Sequence, residues 1–154
     1  MTFNSPRHLL LLLGLVAPLA WAGLGEAEGG IEVERAHMHA QHAVQRAALY
    51  SVHELKTQDG SRVRQYVSGS GRVFAVSWST FFKPDMATLL GTSFPSYSDA
   101  EHVALQRRGI QRQFHHEGPD LVVQSTGHMN VYHGFAYRPS LVPAGLPLQT
   151  LGLG

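Results

Sequence analysis

The sequence predicts an α+β fold: an antiparallel sheet of about five strands, made of a β-meander and a second hairpin. One N-terminal helix precedes the sheet, and one or two helices are inserted between strands three and four. Three observations carry this. Residues 52–78, VHELKTQDGSRVRQYVSGSGRVFAVSW, alternate apolar and polar positions between two turn signals, Asp59-Gly60 and Gly69-Ser70. Residues 31–49 repeat small apolar residues at helical spacing. Residues 121–137 again read as strand, turn and strand.

Taken in order, residues 1–22 read as a signal peptide. Arg7 and His8 precede Leu9 to Leu13, and Ala20-Trp21-Ala22 forms a small-x-small cleavage site before Gly23. The apolar run is shorter than the ~20 residues a spanning helix needs, and no later segment is a candidate span. Residues 23–30 are small and acidic and read as a flexible start. In residues 31–49, Ala36, Ala40, Ala43 and Ala47 form a stripe for a helix lying across the sheet.

Two-residue loops at Asp59-Gly60 and Gly69-Ser70 place His53 opposite Tyr66, Leu55 opposite Arg64, Val67 opposite Arg72 and Val63 opposite Val76. One sheet face then holds Val63, Val67, Phe74, Val76 and Trp78, and the other holds Arg62, Arg64, Tyr66, Val73, Ala75 and Ser77. Pro84 ends the third strand, since it lacks a ladder donor. A short helix follows from Asp85 to its stop at Gly91. Ser98-Asp99-Ala100-Glu101 reads as a capping box for a helix fading near Gly109. Residues 110–119 read as a loop, and Thr126-Gly127 as the second hairpin's turn. A single α+β domain is expected over residues 31–138, with an extended, partly disordered Pro/Gly-rich tail over 139–154.

Composition excludes several classes. With no cysteine, the chain has no thiolate nucleophile, no thioether haem attachment, no cysteine zinc site and no lipidation cysteine. Lys and Arg total 12 against 11 acidic residues, and removing Arg7 leaves them balanced. Nucleic-acid binding, which needs a basic surplus on one face, is not expected.

Several runs are familiar together: Val52-His53-Glu54, Asp59-Gly60, Val63-Arg64-Gln65-Tyr66-Val67, Val73-Phe74-Ala75-Val76-Ser77-Trp78 and Pro84-Asp85 with Leu89-Leu90-Gly91. Asp120-Leu121-Val122-Val123, Gly127-His128-Met129 and Tyr137 with Pro139, Leu141, Pro143 and Gly145 continue the series. In that order they resemble a family of small exported bacterial proteins, domain of unknown function 2844. The resemblance carries no assigned activity, cofactor or catalytic residue. The chain departs from it in the extra histidines His37, His39, His42, His115 and His116.

Candidate residues fall into two sets. His53, Arg62, Arg64 and Tyr66 share the polar sheet face and form the binding candidate, because arginine and tyrosine combine contact area with directional hydrogen bonds. His39, His42, His115 and His116 are the metal candidates, since imidazole is the commonest transition-metal ligand. They match no HExxH or facial-triad spacing. His53, Glu54, Asp120, His128 and His133 assemble into an acid–base set on paper only, with no GxSxG elbow, and no catalytic residue is assigned. Trp78, Phe74, Phe81 and Phe94 read as core. The expectation is a periplasmic or secreted, non-enzymatic accessory or binding module that needs no cofactor. Its partner would be an envelope or secreted protein. A histidine-based metal-binding protein and a small hydrolase are the alternatives.

Overall fold

A computed structural model describes residues 23–109 and 112–153; the expected leader lies outside them. Strands β1 (Gln41–Arg46), β2 (Tyr50–Lys56), β3 (Arg62–Ser68), β4 (Val73–Thr80), β5 (Gln113–Glu117), β6 (Val122–His128) and β7 (Val131–Tyr137) form one 7-stranded sheet. Its order is β1-β2-β3-β4-β7-β6-β5, and every neighbouring pair is antiparallel. Helices α1 (Ile31–Met38), α2 (Met86–Leu90) and α3 (Phe94–Arg108) pack on one face. The α+β class is as expected; the strand number is not.

The two extra strands are the two edges. The helix expected to run to Leu49 stops at Met38, where His39 takes the left-handed conformation (φ 49). His39 N–H then donates to the Ala36 carbonyl and Ala40 N–H to that of Arg35, closing the last turn. A stripe of alanines buries too little to hold a helix against the sheet. The same residues instead satisfy the free backbone edge of β2, pairing from Gln41↔Lys56 to Arg46↔Ser51. At the other edge the expected loop of residues 110–119 contains β5, paired to β6.

Register differs for a definite reason. Residues 58–60 form a three-residue loop closed by Thr57 N–H on the Ser61 carbonyl (3.0 Å), with Gly60 at φ 88. The Asp59 carboxylate organises it by accepting from Thr57 Oγ1 and from Ser61 N–H. One residue more than expected pairs His53 with Gln65 and Leu55 with Val63, which turns His53 to the opposite face from Tyr66. The next loop is also one residue longer, with Gly71 at φ 73, and the register shifts again between Tyr66 and Val67. Phe74 is the extra residue of this bulge. Val73, Val76 and Trp78 therefore point under the helices, whereas Phe74 and Ala75 point to the other face.

The remaining differences are local. α3 begins at Phe94, so the presumed capping box lies inside it. The last hairpin turns at Met129-Asn130, both at positive φ (49 and 61), and Thr126-Gly127 stays in β6. The short helix after Pro84 is as expected, with Asp85 accepting from Ala87 N–H at 3.0 Å. Phe81, read as core, is 55% exposed.

Each face has its own core. Leu24, Ile31, Leu55, Val76, Trp78 and Leu121 belong to the helix-covered one. The other holds Tyr66, Phe74 and Ala75 and is covered by residues 139–153: two 3-10 turns, Pro139–Leu141 and Leu148–Leu151, lead to Leu153, which is 1% exposed. The tail is thus a lid of apolar side chains rather than a disordered strand. Residues 23–30 are tied down as well. Gly25 N–H donates to Val73 (2.8 Å), Glu28 N–H to Gly71 (3.0 Å), and Leu24 is fully buried.

Candidate functional site

The register splits the expected binding set. Arg62, Arg64 and Tyr66 lie on the tail-covered face, and His53 lies under α1. Arg64 is engaged with Glu54 at 2.7 Å, and the buried Tyr66 hydroxyl sits 3.4 Å from Ser77 Oγ. Arg64 and Tyr66 line a shallow cleft of about 410 Å³ beside Gln124, His133 and Leu153; Arg62 does not.

The expected metal set is also separated. His39 caps α1, His42 is on edge strand β1, and His115 and His116 are on the opposite edge strand β5, where they alternate between faces. At ~4.8 Å per strand the edges lie on the order of 30 Å apart. Among the described residues no three histidine or acidic side chains are placed to hold a metal ion.

What His42 meets is His53. His42 Nε2 is 3.1 Å from His53 Nδ1, Glu32 Oε1 is 2.7 Å from His42 Nδ1, and His53 Nε2 is near Ser51 Oγ (3.1 Å) and Glu28 (3.2 Å). Burial holds the His53 imidazole below its usual range, against the pull of Glu28. Beside it, Glu34 of α1 is 2% exposed and accepts from the Gln65 side chain. Burial pushes its carboxyl up to about 7, opposed by that hydrogen bond. This network fastens α1 to β1, β2 and β3. His128, His133, Glu54 and Asp120 are not part of it.

An opening with aromatic walls lies under α3. Tyr97, Glu101 and Leu105 recur at four-residue spacing, so they share one helix face above β5, β6 and β7. Beneath them the sheet carries small residues, Ser125 and Gly127 on β6. Gly134 of β7 is small for another reason, because the Trp78 ring occupies the place a side chain would take, 2.3 Å from an ideal Cβ. A groove of about 570 Å³ remains, walled by Trp78, Tyr97, Phe114 and Tyr132. Tyr97 and Phe114 meet edge to face at 5.2 Å. Burial and the 2.9 Å bond to Glu101 hold the Tyr97 hydroxyl above the usual phenol range, so it remains a donor. Lys83 and Arg112 complete the rim.

The family model described as a protein of unknown function (DUF2844) matches residues 20–151. The chain belongs to the DUF2844 family. This DUF2844 chain matches no curated protein and no solved structure. In its groove the DUF2844 domain offers aromatic surface, two hydroxyls at Ser125 and Thr126, a carboxylate and two cationic side chains, without a histidine among the lining residues. Such a set holds an apolar or aromatic group by contact and orients it by rim charges. Tyr97, Phe114 and Tyr132 of this DUF2844 groove carry no motif. Their only trace in the sequence is aromatic residues spaced among small ones.

Proposed function

We propose that the protein is an exported, non-enzymatic accessory or binding module of the cell envelope, acting in the periplasm or outside the cell. Its ligand site is the groove under α3. One observation carries the binding half: an aromatic-walled cleft with cations on its rim. That chemistry fits an envelope component presenting an apolar or aromatic group next to an acidic one. The export half rests on the Arg7-to-Ala22 pattern in the sequence.

Trp78 is a built-in reporter once Trp21→Phe removes the other tryptophan of the 2. Titration with anilinonaphthalene sulfonate, an apolar aromatic anion, should change Trp78 emission saturably. Leu105→Glu, on the exposed lip of the groove, should weaken the effect about tenfold or more, since it sets a charge against an anion. Unaltered Trp78 emission, or equal binding by Leu105→Glu, refutes the groove as the site. A reporter enzyme fused after Ala22 that stays active only in the cytoplasm refutes export.

A further inference from the structure

One end of the sheet differs from the rest of the surface. The β2–β3 loop, the segment after β4 and the β6–β7 turn all emerge there, because Arg62 pairs with Ser79 and Thr80 with Tyr132. Phe81 N–H donates to Ser61 Oγ at 3.0 Å, and the Phe81 ring lies 3.7 Å from where a side chain on Gly60 would begin. These neighbours show large apolar side chains to solvent: Phe81 is 55% exposed, Phe82 44% and Met129 85%. Nothing local requires this, since turns are ordinarily polar. Exposed cations stand at the same end: Lys56 closes β2, Arg62 opens β3, Lys83 follows Phe82, and Arg112 accepts Gly127 N–H on its carbonyl beside the start of β5. Two exposed acids, Asp59 and Asp85, stand at this end against the four cations, each engaged in local hydrogen bonds. Asp59 is held by Thr57 and Ser61, and Asp85 by Ala87 N–H and Thr88 Oγ1.

Apolar tips inside a cationic ring are what an anionic bilayer surface recognises. Aromatic and methionine side chains enter the headgroup boundary, while lysine and arginine keep their charges at the phosphates. No helix among the described residues is long and apolar enough to cross a membrane. We propose that this end of the sheet docks the protein on an anionic lipid surface, with Phe81, Phe82 and Met129 inserting and Lys56, Arg62, Lys83 and Arg112 facing the headgroups. The docking deepens the envelope reading by naming the surface, and the groove opens toward the same end through Lys83 and Arg112.

The test is cosedimentation of the full chain with phosphatidylcholine vesicles, with and without phosphatidylglycerol. Binding should need the anionic lipid, fall with added salt, and weaken roughly fivefold for each cation replaced, as in Lys56→Gln or Arg62→Gln. The double variant Phe81→Ser with Phe82→Ser changes exposed side chains and should remove binding while its circular dichroism is unchanged. No sedimentation with anionic vesicles overturns the proposal. So does sedimentation that survives the double serine variant, which assigns it to the leader common to both proteins, and so does equal binding to neutral vesicles. Loss of the Trp78 response with vesicle binding intact sinks the groove alone, so the two readings fail separately.

Discussion

Replacing Glu34 with glutamine removes a titration that the fold makes costly. Glu34 is 2% exposed, and its carboxyl is pushed from 4.5 up to about 7. Between those values the folded protein binds a proton that the unfolded chain releases, so stability falls as pH rises through this window. The stabilising contribution is complete below about 4.5 and gone above about 7, where both states are ionised. At 1.36 kcal/mol per pH unit the gap corresponds to about 3 kcal/mol. Glu34→Gln keeps an acceptor for Gln65 and cannot ionise. Urea unfolding of both proteins at either side of the window should show the wild type losing about 3 kcal/mol more than the variant. With slopes of about 1–3 kcal/mol per M, the midpoints diverge by on the order of 1–3 M. Taking the difference between two proteins cancels every other titrating group. Parallel pH profiles would refute the placement of this carboxyl in a dry site.

Gly134→Ala sets a methyl against the Trp78 ring and the Gln124 carbonyl, the latter 2.5 Å from an ideal Cβ; a loss of about 1–3 kcal/mol or more in urea unfolding is expected. Leu153→Ala removes a fully buried side chain from the tail-covered core and should cost about 2–5 kcal/mol; a value near zero means the tail does not pack. Asp85→Ala deletes the α2 cap and should cost about 0.5–2 kcal/mol by thermal unfolding. The bonds from Thr88 and Ala87 hold Asp85 below the usual carboxylate range, so its contribution is present above that range and fades as pH falls through the lowered value.

The hairpin positions are legible in the sequence because Asp59-Gly60 and Gly69 through Gly71 are turn chemistry with a local cause. Loop length is not: whether Gly60 ends a two- or a three-residue loop depends on hydrogen bonds among Thr57, Asp59 and Ser61 that spacing alone does not encode. That single residue decides whether His53 joins Arg64 or Glu28. The edge strands are illegible for a different reason. Gln41 to Arg46 has little intrinsic preference, and its conformation comes from the unpaired backbone of β2, a partner outside its own window. The groove is defined by what is missing from it, and small residues in a strand carry no label. Its aromatic walls come from four separate elements that the β4–β7, β6–β7 and β5–β6 pairings and the packing of α3 bring together.

The segment that seals Phe74 and Tyr66 follows all the strands along the chain. A nascent polypeptide that has emerged only as far as Arg138 therefore has every hydrogen-bonded ladder available, yet leaves one entire side of the sheet wet and adhesive. Vectorial synthesis holds this domain open until its closing residues arrive. Premature termination should produce an aggregating species rather than a shorter working one.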